Sequence, residues 1–145
     1  MDEKLITQLR LLKKYIDMLK KISLNSKEEY LMDDILKGAA ERYLQLAIET
    51  CINIGSRIIS LEQFDKNISA PETYADVFEI LKNIGLVDEE FSKNLKNMAK
   101  FRNKLVHMYW ELDDEFVFNL IKNNLVDIEE FMKIVANYIK NNSQI

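Results

Sequence analysis

LITQLRLLKKYIDMLKKI, running from Leu5 to Ile22, carries Leu5, Leu9, Leu12, Ile16 and Leu19 at steps of four, three, four and three. That spacing returns to one face of a 3.6-residue helix, so the stretch predicts an amphipathic helix ending near Ile22. Outward from it, the chain of 145 residues holds only three Gly and one Pro, with 48% hydrophobic residues. So few turn-forming residues argue against a many-stranded sandwich or barrel and for a few long helices. The length suits a single domain, residues 1–145, that removes about 70% of the unfolded chain's surface from water.

The remaining elements follow from caps and periodicity. Ser26 with Glu29 fits a capping box, and apolar residues continue through Leu31, Ile35, Tyr43, Leu46, Ala47, Ile54, Ile58 and Leu61. They predict one long second helix with Gly38 and Gly55 as weak points. Glu62 to Thr73 contains Asp65, Asn67, Ser69 and Pro71 and reads as the one substantial loop, with Pro71 expected in the first turn of the next helix. Tyr74, Val77, Phe78 and Leu81 predict a short helix ended by Gly85. Asp88 then caps a fourth helix carrying Phe91, Leu95, Met98, Leu105 and Tyr109. A final helix follows Asp113 and Asp114 with Phe116, Leu120, Leu125, Ile128, Phe131 and Val135 as its apolar face, and Asn141 to Gln144 read as a frayed end. The expected architecture is all-α, an antiparallel bundle of about five helices.

Composition excludes several chemistries. A single Cys51 forms no internal disulfide, and one Cys with one His is too few soft ligands for a zinc site within one chain. Cys51 reads as a small buried hydrophobe. No Glu-x-x-His pair exists for a di-metal carboxylate centre, Asp33, Asp34, Glu89 and Glu90 read as helix-start charge, and Met32, Met98, Met108 and Met132 as core filler. The N-terminal stretch has interleaved charges, and no segment approaches the roughly 18 uninterrupted apolar residues of a membrane span, so a cytoplasmic protein with no membrane partner is expected. The net charge of -4 predicts no broad attraction to nucleic acid, so any RNA contact must come from a local basic cluster.

The fourth helix contains an anomaly. Its apolar stripe steps through 91, 95, 98, 102, 105 and 109, which puts Arg102 on the face that should meet the core. A guanidinium there must be paired, or must line a cleft or subunit interface where an anion reaches it. Glu49 is the carboxylate proposed for an internal pair. It lies with Arg42, Leu46, Asn53 and Ser56 along one side of the second helix, a line that is either solvated or the far wall of a cleft. His107, the only histidine, lies five residues beyond Arg102, with Asn103 one turn before it at i, i+4, and Arg102 stands over Tyr109 at i, i+7. By spacing alone His107 is either a partner of the helix dipole or a catalyst, and Tyr109 either a core aromatic or a functional hydroxyl.

Arg102-Asn103-Lys104-Leu105-Val106-His107-Met108-Tyr109 resembles the Arg-x4-His-x-Tyr motif of the HepT-like toxins in the HEPN superfamily of helical ribonucleases. Glu41 to Glu49 resembles that family's second-helix signature, and Ala70 to Tyr74 with Phe78 and Leu81 its central segment, in the family's order across residues 30 to 125. The resemblance implies a homodimeric, metal-independent endoribonuclease without cofactor, acting on RNA and not DNA, with two motif copies lining a cleft between protomers. Attack of the 2'-hydroxyl on the adjacent phosphate needs proton transfer and stabilisation of a doubly negative phosphorane. His107 is then the candidate acid or base and Arg102 the phosphate clamp, with Asn103, Lys104 and Glu49 supporting. One histidine per chain fits a dimer that supplies two to one cleft. The resemblance also implies an MntA-like nucleotidyltransferase antitoxin that silences the toxin by transferring AMP to Tyr109, adding bulk and negative charge beside Arg102. The competing expectations are a non-catalytic module that binds a nucleotide or partner and pairs with a nucleotidyltransferase, and a helical interaction domain whose motif builds a dimer interface.

Overall fold

A computed structural model describes residues 2–63 and 66–142. Asp65 of the expected loop, and Ser143 and Gln144 of the expected frayed end, lie outside the described residues. Among the described residues, seven α-helices and one 3-10 turn follow in order: α1 (Glu3–Ile22), α2 (Lys27–Leu31), α3 (Asp34–Glu62), α4 (Tyr74–Asn83), α5 (Glu89–His107), the turn Tyr109–Glu111, α6 (Asp114–Asn123) and α7 (Val126–Asn142). Among the described residues there is no strand, and no helix is long and apolar enough to cross a membrane.

The all-α expectation holds, with finer division. α1 ends at Ile22 as its spacing requires, and Leu5, Leu12, Ile16 and Leu19 are buried against α3. The Ser26 and Glu29 capping box is formed, but it opens only a five-residue helix. Asp33 then accepts the backbone N–H of Leu36 at 3.0 Å and starts α3 afresh. This break lets Tyr30 enter the core while Met32 and Ile35, each 86% exposed, point out, so Ile35 is off the expected apolar face and Met32 is not the core filler expected. The expected final helix divides too. Asn123 and Asn124, weak helix formers, end α6, and Leu125 turns inward before α7. α7 runs on through Asn141 and Asn142, which were expected to fray.

α4 begins after Thr73, not at Pro71, because Thr73 and Asp76 form their own capping box. Asp76 also accepts the backbone N–H groups of Glu72 and Thr73. Gly85 ends the helical run with φ 85°, the left-handed turn a glycine takes without strain, and Leu86 N–H donates to Leu81 O at 2.9 Å. α4 and α5 form an antiparallel pair that packs on α3.

Neither expected weak point interrupts α3. Gly55 instead permits close approach: a Cβ built there would stand 2.5 Å from Val77 Cγ1 and 3.3 Å from Leu81 Cδ1, so α4 rests almost on the α3 backbone. The core gathers Leu44, Ile48, Ile54, Ile58, Phe78 and Phe131, with Phe78 and Phe131 meeting edge to face at 6.0 Å. Cys51 is fully buried in it, and burial pushes its thiol far above the ordinary range, as befits an inert hydrophobe.

Candidate active site

α5 is a helix because Asp88 accepts the N–H of Phe91 at 2.7 Å at its start, and because Leu95, Ala99 and Leu105 bury one face. Arg102 shares that face. Its guanidinium is not left bare: Nε donates to Glu49 Oε1 at 2.9 Å, and a second nitrogen stands 2.8 Å from the same oxygen. A third donates to Asn103 Oδ1 at 3.3 Å. From above, the ring of Tyr74 at the start of α4 lies 5.0 Å from the guanidinium carbon, a cation–π distance. Arg102 is thus held by α3, by its own helix and by α4, with its side chain 16% exposed and that of Glu49 28%.

Burial alone would raise the Glu49 carboxyl. The hydrogen bonds from Gln45, at 3.0 Å, and from Arg102, together with the charges of Arg102 and Arg42, overcome it and hold the group below its usual range. Glu49 therefore stays ionised beneath Arg102 and fixes the guanidinium. Of the alternatives offered by the spacing, the internal pair is formed: the bonds to Glu49 use one edge of the guanidinium, and part of the side chain remains exposed. Of the line on α3, Arg42, Asn53 and Ser56 are solvated, whereas Leu46 and Glu49 are half-buried.

His107 is the last residue of α5 and is exposed. The helix stops there although neither Gly nor Pro follows. Asp113 accepts the N–H groups of Glu115 and Phe116 and opens α6 at residue 114, leaving only Met108 to Leu112 to reverse the chain. Met108 closes α5 by donating its N–H to Lys104 O at 3.0 Å. Tyr109 consequently leaves the helix for the 3-10 turn and does not stand over Arg102 as helical spacing expected. It is 64% exposed, in edge-to-face contact with Trp110 at 5.3 Å, and Met108 is 42% exposed where a core methionine was expected. The C-terminal carbonyls of α5 surround His107 with the negative end of the helix dipole.

The structure thus brings Arg102, Glu49 and Asn103 together and sets His107 on a different side of α5 from Arg102. Five residues at 100° each separate Arg102 from His107 by roughly 140° around α5 and by about 7.5 Å along it. Asn103 bonds Arg102, where the spacing had suggested His107, and Lys104 is exposed beside the histidine. Sequence reasoning did not single out Tyr74 as a partner of Arg102, or Gln45 as one of Glu49. Gln45 carried a signal, being one turn before Glu49, whereas the Tyr74 contact depends on how α4 seats. Among the described residues no group of three or more His, Cys, Asp or Glu is placed to hold a metal ion.

Comparison with known proteins bears on the family and the fold. Residues 12–135 match the family model described as Ribonuclease HepT-like. The chain is 27% identical over 135 residues to the mRNA nuclease HepT of Shewanella oneidensis, covering 93% of this chain and 98% of that one. It is 28% identical over 133 residues to the tRNA nuclease HepT of Aphanizomenon flos-aquae, covering 92% and 88%. The solved structure of the tri-AMPylated Shewanella oneidensis HEPN toxin, in complex with MNT antitoxin, superposes with a TM-score of 0.85 at 26% identity, covering 94% of this chain and 99% of that one. With an all-helical fold, the Arg102 to Tyr109 motif and a family match across most of its length, this chain belongs to the HepT-like ribonucleases.

Proposed function

We propose that this protein is a metal-independent endoribonuclease toxin whose active site is completed by a second copy of the chain, and that Tyr109 is the site at which a nucleotidyltransferase antitoxin attaches AMP. The observation that carries the reading is the division of α5: Arg102 is anchored by Glu49 on one side, and His107 stands exposed at the helix end on another. One protomer presents the two groups in different directions, and a two-fold pair gives one cleft two histidines and two arginines.

In that cleft a base removes the proton of the 2'-hydroxyl, whose oxygen attacks the adjacent phosphorus. The phosphorane collapses with loss of the 5'-oxygen, which takes a proton from an acid, leaving a 2',3'-cyclic phosphate and a 5'-hydroxyl end. The two His107 side chains serve as base and acid, and Arg102 neutralises the phosphorane through its free N–H groups. Tyr109 suits modification because the 3-10 turn holds its hydroxyl out of the helix. Its hydroxyl oxygen attacks the α-phosphorus of ATP, the phenolic proton passes to solvent, pyrophosphate leaves, and the attached AMP puts negative charge at the mouth of the site.

The test is cleavage of a mixed RNA by the purified protein in excess EDTA, beside His107→Ala, scored for cyclic phosphate ends. Cleavage by the parent alone is expected. Equal cutting by both, or inertness of a parent that mass measurement shows to be free of AMP, overturns the nuclease reading, and the second result favours a non-catalytic binding module.

A further inference from the structure

Residues 91–110 carry four Lys, one Arg and no Asp or Glu, the longest stretch of the chain without a carboxylate. This stretch contributes +5 to a chain of net charge -4, so the remainder carries -9. The lysines are also sorted in space. At 100° per residue, Lys93, Lys96, Lys100, Lys104 and His107 fall within about 80° of arc on α5, opposite the face buried by Leu95, Ala99 and Leu105. Lys93, Lys100, Lys104 and His107 are exposed. Glu79 on α4 engages Lys96. Among the described residues Lys93, Lys100 and Lys104 have no carboxylate within 4.0 Å.

α1 is the other lysine-rich helix; among the described residues two of its five lysines are paired, Lys4, Lys14 and Lys21 have no carboxylate within 4.0 Å, and its row does not lead to His107. Asp17 binds Lys13 at 2.8 Å, and Glu129 on α7 binds Lys20 at 3.0 Å. A solvated helix face normally mixes charges of both signs, because like charges one turn apart repel. On α5 that cost is borne by Lys100 and Lys104 at i, i+4, which is the arrangement expected where a polyanion relieves it.

We propose that the lysine face of α5 is the track along which the RNA backbone lies: Lys93, Lys100 and Lys104 contact successive phosphates and lead the strand to His107. The track is about 16 Å long from Lys93 to Lys104 at 1.5 Å per residue. It answers the acidic balance of the protein, since residues 91–110 carry +5 against -9 elsewhere and the lysine row ends at the reacting group, so attraction to phosphate is available where the strand must arrive. The contacts are to phosphate, so the track gives affinity and direction without reading bases. This inference rests on the ribonuclease reading.

The test uses His107→Ala protein, which does not consume its ligand, and a fluorescent single-stranded RNA titrated at several salt concentrations. Each phosphate contact contributes about -0.7 to the slope of log K against log salt. Adding Lys93→Gln and Lys100→Gln should therefore reduce the slope by about 1.4 and weaken binding, whereas Lys13→Gln with Lys14→Gln, the same change in net charge on α1, should leave the slope unchanged. In protein with His107 intact, Lys93→Gln/Lys100→Gln should raise KM for a long RNA, keep kcat, and cleave a dinucleotide as the parent does. RNA binding whose slope is unaltered by the α5 pair, or altered equally by the α1 pair, overturns the track and leaves the nuclease reading standing. Failure of the parent His107→Ala protein to bind RNA at all overturns both.

Discussion

Replacing Glu49 by Gln and Arg102 by Met, singly and together, measures how firmly the guanidinium is held. Both side chains are less than a third exposed, at 28% and 16%, and two guanidinium nitrogens approach one oxygen at 2.9 and 2.8 Å. An exposed pair contributes about 0.2–1 kcal/mol, and breaking a fully buried pair costs about 3–5 kcal/mol. This pair lies between, nearer the lower limit on the Glu49 side, where Gln45 and water remain to solvate the carboxylate. A coupling of about 1–2 kcal/mol is expected from the four-protein cycle at neutral pH. With about 2.1 cal/mol/K of unfolding entropy per residue, 145 residues convert that coupling into about 3–7 °C. Thermal and urea unfolding supply the readout. The pH dependence adds a second condition. The Glu49 carboxyl is held below its usual range, so its stabilisation is complete above the ordinary carboxylate pKa and disappears as pH falls through the lowered folded-state value. A coupling below about 0.3 kcal/mol at neutral pH, the limit of additivity, or one that persists in acid after Glu49 is protonated, refutes the picture of an arginine aimed by its carboxylate.

Two further outcomes follow from polar groups placed against the core. Glu41 is raised above its usual range, first by burial and then by the charge of Asp114, with Lys37 opposing. The folded state therefore binds the proton more readily than the unfolded chain, and the destabilisation it brings is fully present at neutral pH and absent below the ordinary carboxylate range. Glu41→Gln should raise the melting temperature at about pH 7 and leave it unchanged at about pH 3, and an equal shift at both rules out the charge as the cause. The hydroxyl of Tyr30, a residue with no exposure, has no hydrogen-bond partner among the described residues. Tyr30→Phe removes that unpaired group and should be neutral or stabilising by about 1 kcal/mol in urea unfolding; a loss of 1 kcal/mol or more would mean that the hydroxyl is satisfied in solution.

What could be read from the sequence was what is decided locally. The α1 face, the Ser26 box, the Asp88 and Asp113 caps and the Gly85 stop each depend on residues within a few positions of one another. The breaks at Met32–Asp33 and Asn124–Leu125 were hidden because apolar periodicity runs straight across them. Whether Met32 or Ile35 is inside depends on which neighbour covers it, and nothing does. At the site, Arg102 declared itself by standing on an apolar stripe, and Glu49 was the carboxylate named for it. The unwinding after His107 was not legible, because it arises from competition between the end of α5 and the Asp113 cap, with no breaking residue to mark it. The expectation that Tyr109 stands over Arg102 failed for that reason, and Tyr74 entered only through the packing of α4.

Gly55 carries no functional group and lies deep in α3, yet it sets a mechanical tolerance for the whole motif. The 2.5 Å that a Cβ would leave to Val77 is a gauge of how low α4 sits, and α4 begins with the ring that covers Arg102 at 5.0 Å. A methyl group at residue 55 would act as a shim, lifting α4 and tilting Tyr74 off the guanidinium while every residue of the motif stayed in place. Drift at this position is therefore permitted only with compensating shrinkage at Val77 or Leu81. An inventory of chemically capable side chains would pass over the residue that calibrates them.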